Sequence, residues 1–220
     1  MHWLASGYDI VLPEYYGSHR SDGNFTPQWC MDTLVDTYNF FATSWEVQDV
    51  WTDELVSFSW HDEVVIVGCS FWAARASRIS KMLPKLQSIG LVFPAIQYAD
   101  MGTIWYPEES FADTNRILQK WWYGHLYRGA TWWDRDAFYQ DQRWQSYDEM
   151  VQNLSQQNVF IAHGDADECV YVGRSRKLYE QLQTTNSIWN HRYLEIPQGW
   201  HGWITKQIAV VEMCKWLNWR

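Results

Sequence analysis

Apolar and polar positions along the chain fall into two alternating periods. Apolar runs at residues 64–67, 89–94, 159–162 and 192–196 are short and β-branched or aliphatic, and they are bounded by glycine, proline or polar clusters. Such runs predict strands buried on both faces. Between and after them, residues 71–83, 148–156, 172–183 and 204–216 carry apolar side chains three or four apart and predict helices. Upstream, residues 8–13 read as a short strand, followed by a polar turn-rich loop at 17–24. A further helix opens at Thr26-Pro27, with Thr26 as N-cap and Pro27 in the first turn. Leu34, Val35, Tyr38, Phe41 and Ala42 recur along it at helical spacing.

Strand and helix in alternation predict the α/β class: a mostly parallel sheet with helices on both faces. Two regions escape this pattern. Residues 44–62 mix Trp45, Trp51 and Trp60 with five acidic residues and support no assignment. Residues 98–147 scatter Trp105, Trp121, Trp122, Trp132, Trp133 and Trp144 among short polar pieces. A long irregular insertion between sheet elements is usually functional, and this one is expected to be a tryptophan-rich cap over the strand ends. With no repeat or low-complexity linker, residues 1–220 are expected to form one domain.

Composition narrows the function classes. At 220 residues and 47% hydrophobic the chain can bury a sizeable core, and its formal net charge of -9 argues against a nucleic-acid partner. A small molecule or peptide is the expected partner. Cys30, Cys69, Cys169 and Cys214 show neither CxxC pairs nor histidines at ligand spacing, which predicts reduced thiols; separately, no metal or organic cofactor is expected. No stretch approaches the roughly 18 apolar residues of a membrane span, and the N-terminus lacks a basic-then-apolar leader. A cytoplasmic protein is expected. The seventeen tryptophans suit either an aromatic core or an aromatic-lined pocket.

The chemistry gathers at three strand ends. The run at 64–67 stops at Gly68-Cys-Ser70 and turns at once into a helical pattern, the arrangement that exposes a serine hydroxyl on a strand-to-helix elbow. A second strand ends in His163-Gly-Asp165-Ala-Asp167, and a third is followed by Trp200-His201-Gly202. Loops at the carboxyl ends of parallel strands share one sheet edge, so Ser70, an aspartate and His201 are expected to converge there. A serine hydroxyl needs an imidazole to take its proton, and the imidazole needs a carboxylate to hold its tautomer. Asp165 and Asp167 share a turn and compete for that role. Cys69, one residue before the apex, is expected to point away. His163 reads as a structural hydrogen-bonding partner.

These residues resemble the α/β-hydrolase superfamily, nearest its dienelactone-hydrolase and prolyl-oligopeptidase-like members. The Gly7–Pro13 stretch with Gly17, Ser21, Asp22 and Gly23 is similar to a strand and loop of that group, and the segment 64–70 to its elbow strand. His163-Gly followed by Asp167 and Val170 is similar to its acid loop, and His201 precedes the last helix as the base does. The resemblance implies a serine hydrolase with Ser70, Asp167 and His201 as catalytic residues and the backbone N–H of Phe71 as an oxyanion donor.

The chain departs from the family in two places. Trp72 stands where the elbow has its second glycine, and the upstream strands with the loop that supplies a second oxyanion donor have no counterpart. The strand that lies between segments 8–13 and 64–67 in the family is among those missing. Those two are therefore expected either to pair directly, closing the sheet around five strands, or to leave a gap, the mark of a truncated chain. The alternative is a non-catalytic binding or scaffold relative; a carbohydrate-binding module, suggested by tryptophan content alone, would require an all-β fold.

Overall fold

A computed structural model describes residues 2–25, 27–59, 63–83, 85–97, 128, 146–185 and 188–218. Its elements run α1 (His2–Ala5), α2 (Pro27–Thr43), β1 (Glu46–Gln48), β2 (Leu55–Ser57), β3 (Val64–Cys69), α3 (Phe71–Ile79), β4 (Leu86–Val92), α4 (Tyr147–Leu154), β5 (Asn158–Gly164), α5 (Val172–Thr184), β6 (His191–Ile196) and α6 (Trp203–Asn218). Among the described residues the central sheet has four strands in the order β3-β4-β5-β6, every pair parallel. The predicted α/β architecture with helices on both faces is what the chain adopts. The expected cap at 98–147 falls almost wholly outside the described residues, as do the Thr26 cap and Trp60.

Alternation along the strands explains the two cores. Ile89 and Leu91 of β4 and Val159 and Ile161 of β5 face one cluster, with Ala76, Ile79, Met150, Leu154, Leu178 and Leu182. On the opposite face, Val92, Phe160 and Ala162 meet Ala209, Met213, Trp216 and Leu217 of α6. Successive side chains of a strand point to opposite faces, so one apolar run serves both layers. The layers are intimate: a Cβ on Gly90 would lie 2.4 Å from the Met213 sulfur, so α6 packs directly on β4 backbone.

Two features differ from expectation. Among the described residues, 8–13 pair with no strand; Tyr8 packs on the second core, while Ile10, Val11 and Leu12 are exposed. Among the described residues the five-strand alternative is therefore replaced by a four-stranded sheet with β3 at its edge. The apolar run at 64–67 is half-buried rather than enclosed, because a strand with one ladder neighbour is covered on fewer sides. Residues 44–62, which supported no assignment, hold the antiparallel β1–β2 hairpin. Asp49 folds its loop by accepting the N–H groups of Trp51 (2.7 Å) and Thr52 (2.9 Å) through Oδ1.

Candidate active site

Ser70 stands between β3 and α3 at φ 56° and ψ -125°, a conformation that L-residues rarely adopt. The strand ends hold it there. Its N–H donates to Val92 O (2.8 Å), and its carbonyl accepts from Ala73 (3.1 Å) and Ala95 (3.1 Å). The turn is tight enough that a Cβ on Gly68 would come within 2.6 Å of Ala73 Cα, so the first elbow glycine answers a close approach of strand and helix. Trp72 finds its room by leaving that contact: its indole stacks on Tyr15 at 4.3 Å and meets Phe25 edge-on at 5.7 Å. The loop after segment 8–13 thus packs against the elbow through an aromatic cluster.

The aspartates of the second loop have separate tasks. Asp167, whose side chain is fully buried, accepts the N–H groups of Cys169 (2.8 Å) and Val170 (2.9 Å) through Oδ1. Its Oδ2 lies 2.8 Å from His201 Nδ1 and 3.4 Å from His163 Nε2. Asp165 instead accepts the N–H of Gln198 at 2.6 Å, tying the acid turn to the turn after β6. Ala166 N–H donates to Gly199 O at 3.0 Å along the same seam. His163 is buried, with Nδ1 2.7 Å from Ser175 Oγ and Nε2 2.9 Å from Val170 O. Since a carbonyl only accepts, Nε2 carries the proton and the Ser175 hydroxyl donates to Nδ1.

His201 closes the line: Nδ1 donates to the Asp167 carboxylate, and Nε2 lies 3.1 Å from Ser70 Oγ, within hydrogen-bond reach of the hydroxyl. Its ring lies 4.1 Å from that of buried Phe93, and the side chain is 20% exposed, enough to meet a ligand. The loop is pinned by Thr205, whose hydroxyl donates to Trp200 O. Three side chains separated by up to 131 positions therefore meet at the carboxyl edge of the sheet.

Electrostatics follow from these contacts. Burial alone would raise the Asp167 carboxyl, but hydrogen bonds from His163 and His201 outweigh it and hold it below the ordinary carboxylate range. Burial pushes the Cys69 thiol up, only partly offset by Lys206, so Cys69 stays protonated at neutral pH. Cys169 is pushed up to about 12, first by burial and then by the charges of Asp167 and Glu168. A thiol of Cys169, a carboxylate oxygen of Asp167 and a ring nitrogen of His201 lie within 4.8 Å of one another, a grouping that sequence spacing did not reveal.

A strand–serine–helix elbow at the rim of a parallel sheet, with an acid loop and a histidine loop after its last two strands, is the α/β-hydrolase fold. No protein-family model and no curated protein matches the chain. Among solved structures it is similar to an esterase of Pyrococcus furiosus, with a TM-score of 0.58 at 13% identity over 99% of this chain and 70% of that one. It is also similar to Est1E from Butyrivibrio proteoclasticus (TM-score 0.53, 16% identity, 88% of this chain and 70% of that one). The ferulic-acid-bound form of Est1E gives a TM-score of 0.54 at 15% identity, over 93% and 74% of the two chains. No helix among the described residues is long and apolar enough to cross a membrane.

Proposed function

We propose that the protein is a serine hydrolase that cleaves an ester, thioester or amide through an acyl-enzyme on Ser70. The observation that carries this reading is the unbroken hydrogen-bonded line from Ser70 Oγ through His201 to Asp167. Ser70 attacks the carbonyl carbon while His201 Nε2 takes its proton, and Asp167 stabilises the imidazolium that results. The tetrahedral oxyanion is held by the N–H of Phe71, the first residue of α3. Collapse expels the alcohol, thiol or amine, which receives the proton from His201. Water, activated by the same imidazole, then releases the acid and restores Ser70.

Trp200 and Trp203, 49% and 67% exposed on either side of His201, suit a substrate with an apolar or aromatic acyl or alcohol group. A small molecule or short peptide is the substrate; neither nucleic acid nor membrane is needed. The four cysteines, none of them in a disulfide, suit a reducing compartment such as the cytoplasm. No metal or organic cofactor enters the reaction.

A fluorophosphonate probe tests the reading directly. It is expected to label the wild type stoichiometrically and to leave Ser70→Ala and His201→Ala unlabelled, with hydrolysis of short p-nitrophenyl esters lost by about 10⁴-fold or more. Failure to label well-folded wild type would instead favour a non-catalytic binding protein on the same fold.

A further inference from the structure

We propose that Asp167, Cys169 and His201 form a zinc-binding site whose occupation switches off the histidine of the catalytic line; the inhibitory part of this proposal rests on the hydrolase reading above. The donor set is a nitrogen, an oxygen and a sulfur, the mixture zinc prefers, with all three donors within 4.8 Å of one another. Tetrahedral zinc with bonds of about 2.0 Å to nitrogen and oxygen and about 2.3 Å to sulfur sets its ligands roughly 3.3–3.7 Å apart. The 2.8 Å gap between His201 Nδ1 and Asp167 Oδ2 has only to open slightly, and Cys169 Sγ lies within 4.8 Å of a ring nitrogen and a carboxylate oxygen of that pair.

Local structure favours the arrangement. Asp167 Oδ1 is occupied by the N–H groups of Cys169 and Val170, so the carboxylate and the thiol-bearing residue hang on one turn with Oδ2 turned toward His201. The negative charges of Asp167 and the adjacent Glu168 lie beside the Cys169 thiol and attract a cation. The His201 side chain is 20% exposed, and a water from that side would complete the tetrahedron.

The protons balance as follows. Zinc bonds to Sγ, Nδ1 and Oδ2; the Cys169 S–H proton leaves to solvent, and the proton on Nδ1 moves to Nε2. One proton is released per zinc, and no electron is transferred. With Nδ1 metallated, Nε2 carries hydrogen and donates toward Ser70 Oγ instead of accepting from it. The nucleophile then has no base. Zinc inhibits without touching Ser70, and a chelator restores activity.

The test uses the full chain and zinc chloride. Calorimetric titration in buffers of different ionisation enthalpy is expected to give one zinc and one released proton per chain, and cobalt(II) in its place a thiolate-to-cobalt charge-transfer absorption. Ester hydrolysis is expected to fall with the same zinc dependence. Cys169→Ser and Cys169→Ala should weaken zinc binding and zinc inhibition by about 10-fold or more. Ser70→Ala should bind zinc like the wild type. Unchanged zinc affinity in both Cys169 variants, or cobalt binding without the thiolate band, overturns the site. Cysteine-dependent zinc binding in a wild type that hydrolyses nothing supports the site and sinks the hydrolase reading instead.

Discussion

Ser70 shows what an elbow position costs the fold. Its positive φ is the kind of strained backbone that stores about 1–3 kcal/mol in a non-glycine residue. Ser70→Gly is therefore expected to be more stable than Ser70→Ala by about 1 kcal/mol, the strain relieved less the entropy glycine adds to the unfolded chain. Chemical denaturation of the two variants measures this without the serine–histidine hydrogen bond entering the comparison. Equal stabilities would mean that the elbow is unstrained. Which aspartate of the acid turn meets His201 was not legible from composition or period, because Asp165 and Asp167 occupy one turn. It is decided by backbone N–H groups: those of Cys169 and Val170 aim Asp167 inward, while that of Gln198 claims Asp165.

At the scale of elements, the legible ones are those whose burial is lopsided or complete. β4 and β5 are enclosed on both faces and announce themselves as aliphatic runs; α5, with a clear apolar stripe, is recovered nearly to the residue. The hairpin was not legible, since its two three-residue strands are exposed throughout and carry no alternation. Residues 8–13 mislead in the other direction: their apolar pattern is that of a strand, but a strand also needs a neighbour to complete its ladder.

Two substitutions probe how elements are joined. Gly68→Ala would force the β3–α3 junction apart and is expected to destabilise the fold by about 1–3 kcal/mol. Ser146→Ala removes one half of a capping box, in which Ser146 Oγ accepts from the Glu149 N–H (3.2 Å) and Glu149 accepts from the Ser146 N–H (2.9 Å). A loss of about 1 kcal/mol is expected. Thermal or denaturant unfolding checks both, and a neutral Gly68→Ala would show that the junction has slack.

For the molecule as a whole, chain order carried most of the information. Serine, aspartate and histidine each follow a predicted strand, and parallel topology brings those strand ends together wherever the intervening helices lie. What lay beyond reach was the pairing of the sheet edge and the proximity of Cys169, both of which depend on tertiary packing. Global stability should carry an acid limb. Arg176 binds Glu195 through two hydrogen bonds (2.6 and 2.8 Å), Tyr193 adds a third, and the carboxyl is held at about 2 against an ordinary 4.5. A depressed carboxyl stabilises fully above its unfolded value and loses that contribution as pH falls toward the folded one. Glu195→Gln is thus expected to be less stable than wild type near neutral pH, with the difference shrinking between about pH 5 and 2. Urea titrations across that range test it, and a gap that stays constant would sink the assignment.

One close approach governs how well the active line can be kept. A Cβ on Gly164 would fall 2.1 Å from Gly199 O, and one on Gly199 would fall 2.8 Å from Gly164 Cα, so the acid and histidine turns touch main chain to main chain. Nothing compressible lies between them. Asp167 and His201 ride on two turns that behave as one rigid casting, so heat or solvent that loosens the outer surface should leave their mutual distance intact until the sheet itself gives way.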